Sequence, residues 1–86
     1  MPPTVWFIQG ASKGFVEATL SRGDKVAATA LNTAPLTRLA PRYGDNLLAM
    51  RVDADDEDAV AAAFELARER FGHLDVVLPN VQAARS

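Results

Sequence analysis

The chain contains no cysteine. That excludes a disulfide framework and thiolate chemistry, and leaves a reducing compartment open to it. Histidine is reduced to His73. It falls between Gly72 and Leu74 in a predicted loop, with no second histidine and no paired aspartate foreseen. It is therefore read as solvent-facing, neither metal ligand nor base, and no metal site is expected. The lone tyrosine, Tyr43, has Leu47 four residues later. It is read as a helix residue packing with its hydroxyl at the surface. No apolar run approaches the roughly 20 residues of a membrane span. Met1-Pro2-Pro3 offers neither a basic nor an apolar leader segment, so the expected location is the cytoplasm. A net charge of −2 gives no bulk attraction to nucleic acid.

What is present is apolar sequence in short, punctuated blocks. Hydrophobic residues make up 49% and charged residues 23% of 86 positions, a globular composition for one modest domain or part of one. The stretch Val5-Trp6-Phe7-Ile8-Gln9-Gly10-Ala11-Ser12-Lys13-Gly14-Phe15 organises the rest. A β-prone run ends in a turn with two glycines, and a helix-compatible segment follows. This predicts a strand, a tight turn and a helix start, the local geometry of a phosphate-binding βα unit. Gly10 lets the chain leave the strand sharply, and Gly14 removes a Cβ from the path of an approaching ligand.

Residues 4–9 are predicted as a first strand, apolar enough to be buried on both faces of a parallel sheet. A short helix over 14–22 is closed by Gly23. Residues 25–31 form a second strand. Asn32-Thr33-Ala34-Pro35 starts a second helix, with Leu36, Leu39, Ala40 and Tyr43 as its apolar stripe and Gly44 as its end. Residues 47–52 form a third strand. Asp53, Asp55, Asp56, Glu57 and Asp58 then crowd six positions. The last four of these acids are read as caps and dipole partners of a third helix. That helix runs to about residue 71, with Val60, Phe64, Ala67 and Phe71 as its core face and Arg68 and Arg70 in its last turn. Residues 74–78 form a fourth strand that Pro79 stops, and 80–86 is expected as a frayed tail.

Strands alternating with helices predict an α/β fold with parallel pairing through right-handed crossovers. The expected architecture is a partial Rossmann fold: a four-stranded parallel sheet, order 3-2-1-4, with three helices, the first two on one face. The ligand crevice is expected where the order reverses, between the first and fourth strands.

Several separated segments carry a family resemblance. Trp6 to Phe15, Arg22-Gly23-Asp24-Lys25-Val26-Ala27-Ala28-Thr29-Ala30, Val52-Asp53, and Arg70-Phe71-Gly72-His73-Leu74-Asp75-Val76-Val77 resemble, in order and spacing, the N-terminal half of the classical short-chain dehydrogenases/reductases. The resemblance implies residues 1–86 as a truncated NAD(P)-binding Rossmann-type domain. It implies Gly10, Ser12, Lys13, Gly14 and Phe15 along the pyrophosphate and adenosine ribose. It implies Asp53 on the adenine amino group with the Ala54 backbone beside it, and Asn80 near the nicotinamide. The stretch Ala30-Leu31-Asn32 carries no acid to repel a 2′-phosphate, and Lys13 can reach one as a point charge. NADP is the expected cofactor, with NAD second.

The chain also departs from the family. The third glycine of the turn is Val16, the usual threonine before the first glycine is Gln9, and the first helix is shorter by roughly one turn of 3.6 residues. The Asn-Asn-Ala-Gly element reads Pro79-Asn80-Val81-Gln82, where Gln82 would crowd the nicotinamide ribose. The family's catalytic serine, tyrosine and lysine lie beyond that element, so no catalytic residue is expected in this chain. The expected function is an NADP(H)-binding oxidoreductase segment that is inactive alone. A module pairing through its open sheet edge, self-association included, and a decayed gene fragment are the alternatives.

Overall fold

The computed structural model describes residues 3–10 and 12–79. The elements run β1 (Val5–Gln9), α1 (Lys13–Ser21), β2 (Lys25–Ala30), α2 (Ala34–Thr37), α3 (Ala40–Tyr43), a 3-10 turn (Gly44–Asn46), β3 (Leu47–Arg51), α4 (Glu57–Phe71) and β4 (Val76–Leu78). The strands form one sheet in the order β3-β2-β1-β4. All three pairings are parallel, as the alternation of strands and helices predicts. Trp6 stands opposite Val26 on one side and Val76 on the other.

Alternate side chains of a strand face opposite ways, so an apolar run needs cover on both faces. Ile8, Val26, Ala28 and Leu47 enter one buried cluster with Val16 and Leu20 of α1 and Leu36 of α2. Phe7 and Ala27 enter the opposite cluster with Ala63 and Ala67 of α4. Phe7 is fully buried and meets Phe64 edge to face, with ring centroids 5.3 Å apart. Burial of such a side chain contributes about 1.5–3 kcal/mol. Helix α4 leaves the outer strand partly bare: Val77, in register with Phe7, is 45% exposed. Val16, where the family's turn has its third glycine, is fully buried, so the fold accommodates a β-branched side chain there.

The second of the expected helices is broken. Instead of one helix to residue 43 there are two single turns, α2 and α3, and Ala40 of the expected stripe is exposed. Pro41 explains the break. It has no N–H to donate, and its ring excludes the carbonyl four residues earlier, so a helix restarts with proline in its first turn. Leu36 and Leu39 are nevertheless buried. The acidic cluster behaves as its spacing suggests: Asp56 caps α4, its Oδ1 accepting from the Ala59 N–H at 3.1 Å. Gly72 ends that helix in the left-handed region at φ 88°. Within α4, the Glu65 carboxylate at 2.7 Å from Arg68 raises the guanidinium's pKa above its ordinary value.

Two aspartates pin the N-terminal ends of the strands. Asp24 accepts from the Thr4 N–H at 3.3 Å and the Trp6 indole N–H at 3.1 Å. Asp75 accepts from the Val5 N–H at 2.9 Å and sits 3.2 Å from His73 Nε2. His73 is exposed, as expected, but it does have an aspartate partner. That partner lies only two residues along the same loop, where its bond to Val5 holds it.

Candidate functional site

The strand C-termini open into a cleft of about 420 Å³, within the roughly 300–1,000 Å³ usual for small-molecule sites. Its wall begins at Gly10, Ser12 and Lys13, between β1 and α1. It continues through Ala30, Leu31 and Asn32 after β2 and Pro35 and Leu36 of α2, and closes at Val52 to Asp55 after β3. The cleft lies over β1, β2 and β3, with α2 as its wall on the β2 side. The β1–β4 crevice expected from the sequence reaches Asn80, which lies outside the described residues.

Backbone bonds set this rim. The Gly10 N–H donates to Thr29 O at 2.9 Å, which ties the turn to β2, and Gly10 has φ 63°, a conformation glycine adopts without penalty. The Val52 N–H donates to Ala30 O at 3.1 Å, and Arg51 Nε donates to Leu31 O at 3.2 Å. These two bonds join the ends of β2 and β3 under the cleft.

Ser12 is the N-cap of α1. Its carbonyl accepts from the Val16 N–H at 3.1 Å, and its hydroxyl oxygen accepts from the Phe15 N–H at 3.4 Å. Among the described residues no acceptor meets the N–H groups of Lys13 and Gly14. Such first-turn donors are left over by helix geometry, and with the helix dipole they suit an anion. A Cβ built on Gly14 would meet nothing within 4 Å, so the protein's own packing does not require glycine there. Phe15 lies off the cleft and meets Trp6 edge-on at 6.3 Å.

On the far side, Asp53 Oδ1 accepts from the Asp55 N–H at 2.9 Å, and the Asp53 carbonyl accepts from the Asp56 N–H at 2.9 Å. Both bonds fix the turn. The other carboxylate oxygen, Oδ2, has no protein partner among the described residues. Asn32 spends its side chain on the start of α2, accepting from the Ala34 N–H at 3.1 Å.

Of the residues singled out in the sequence, Gly10, Ser12, Lys13, Asp53 and Ala54 line one cleft. Gly14 and Phe15 adjoin it, and Asn80 lies outside the described residues. Pro35, Leu36, Val52 and Asp55 were not foreseen as lining. Their signal is positional: Val52 and Asp55 lie in the connection after β3, and Pro35 and Leu36 in the first turn of α2 after β2. Among the described residues no group of three or more histidines and acids is placed to hold a metal ion, and no helix is long and apolar enough to cross a membrane.

A family model described as enoyl-(acyl carrier protein) reductase matches residues 8–86. The chain belongs to the short-chain dehydrogenase/reductase family. Oxidoreductase BOA17 of Botryotinia fuckeliana is 36% identical over 95% of this chain. A probable NADP-dependent dehydrogenase of Dichelobacter nodosus is 33% identical over 90% of it. A 3-ketoacyl-(acyl-carrier-protein) reductase of Brucella melitensis, solved in complex with NADH, superposes with a TM-score of 0.76 at 32% identity over 86% of the chain. The chain spans 32% of the length of the first and of the third of these relatives, and 76% of the second. Its four-stranded sheet is thus the N-terminal portion of this family's oxidoreductase fold.

Proposed function

We propose that residues 1–86 form the dinucleotide-binding segment of a short-chain oxidoreductase and that the cleft takes the adenosine and phosphate half of NADP(H), with NAD(H) second. One observation carries this reading. A single cleft joins a glycine turn with free helix-terminal N–H groups to a β2 end without an acid and to the carboxylate of Asp53. The residues fit the cofactor. Lys13, Gly14 and the Ser12 hydroxyl would hold phosphate, Asp53 Oδ2 is available to accept from the adenine amino group, and Ala54 would lie against the ring. When bound, the cofactor would supply hydride transfer. The Dichelobacter relative is named for NADP and the Brucella structure holds NADH, so the preference for NADP rests on Lys13 and on Ala30-Leu31-Asn32.

Catalysis by this segment alone is not part of the proposal. Tyr43 packs half-buried against the α1–α2 side of the core and does not line the cleft. Titration of the chain with NADPH, followed by nucleotide fluorescence, tests the reading. Saturable binding without turnover of carbonyl substrates is the expected result, and no binding at millimolar NADPH would overturn it.

A second reading, a module that docks through its sheet edge, is favoured by one observation: among the described residues β4 is bonded only to β1, and its own Val77 is exposed. Sedimentation that is independent of concentration would remove self-association as its form.

A further inference from the structure

Among the described residues Lys13 is the only cation lining the cleft, where Asp53 and Asp55 are the other charged residues. It is also oddly placed for stability. It stands at the first position of α1, where the helix dipole disfavours a positive charge, and α1 has no acid in its first turn. Its ammonium is held by Glu17, one turn on, at 3.2 Å. The order lysine-then-glutamate along a helix is the weaker orientation of such a pair.

The cleft places Lys13 together with the end of β2. In a doubly wound fold that strand end receives the ribose 2′ substituent, a hydroxyl in NAD and a phosphate in NADP. A phosphate arriving there needs the ammonium that Glu17 holds, and it meets the Glu17 carboxylate as a like charge. We infer that Glu17 sets the nucleotide preference of this cleft by competing with the 2′-phosphate for Lys13, so that this chain discriminates between NADPH and NADH less than its lysine alone would. The inference rests on the dinucleotide reading above. Glu17 acts through Lys13 as a positioning residue and touches no reacting atom.

The pair is partly exposed, with side chains 44% and 36% accessible, so the competition is modest. Exposed pairs of this kind contribute roughly 0.2–1 kcal/mol, a factor of about 1.4 to 5 in affinity. The test compares NADPH and NADH titrations of the full chain for the unmodified protein, Glu17→Gln, Lys13→Gln and the double variant. The expected result is a rise of about 1.4- to fivefold in the preference for NADPH with Glu17→Gln, and none when the same change is made on Lys13→Gln. Should the glutamine variant fail to fold, Glu17→Ala replaces it. An unchanged preference overturns the inference while leaving the dinucleotide reading standing. So does a rise that persists without Lys13, since it would come from overall charge. Failure of both nucleotides to bind the unmodified chain removes the reading and the inference together.

Discussion

The Asp75 carboxylate accepts a hydrogen bond from the backbone N–H of Val5 at 2.9 Å across 70 positions of sequence. Val5 is buried, so its N–H has little access to water once this acceptor is gone. The bond fastens the start of β4 to the start of β1, next to a backbone bond from Asp75 N–H to Val5 O at 2.8 Å. Asp75→Ala is expected to destabilise the fold by about 1–2 kcal/mol. Asp75→Asn keeps an acceptor and should lose less. Urea unfolding followed by circular dichroism measures both, and equal stability of Asp75→Ala and the unmodified chain would contradict the role given to this bond.

Gly14 separates folding from binding. It has ordinary helical backbone geometry, being absent from the positive-φ glycines, and a Cβ there enters open space. Gly14→Ala should therefore stabilise the chain by up to about 1 kcal/mol through the lower entropy of the unfolded state. The same methyl group would stand where a phosphate approaches α1, so NADPH affinity should fall several-fold. A melting curve and a titration on one sample check the two halves. Loss of stability would show that packing, rather than a ligand, requires the glycine.

Pro41 is expected to be the sole cause of the split between α2 and α3. Pro41→Ala restores a backbone donor and removes the ring from the path of the Thr37 carbonyl. A continuous helix across 34–43 should follow, with a more negative 222 nm signal and a protected amide at position 41 in hydrogen exchange. Leu36 and Leu39 already sit in the core, so the lengthened helix needs little repacking. An unprotected amide at that position would mean that the surrounding packing, not the proline, sets the break.

Much of the fold was legible in the residues themselves. Apolar blocks of strand length alternating with helical spacing leave few arrangements once crossovers must be right-handed and connections short. The order β3-β2-β1-β4, the Asp56 cap and the Gly72 stop all followed from local chemistry. The break at Pro41 was legible as well, since proline carries its own rule. The apolar stripe of Leu36 and Leu39 pointed to a longer helix and masked it.

The chain's sequence alone determined which segments are strands, which turn carries the glycines, and that β2 ends without an acid. Those are properties of neighbouring residues and of backbone sterics, which act over a few positions. Only the tertiary structure decided where the cleft opens and that the Asp75 carboxylate meets Val5. Both depend on parallel strands laid side by side, which brings together groups up to 70 positions apart that no local pattern relates.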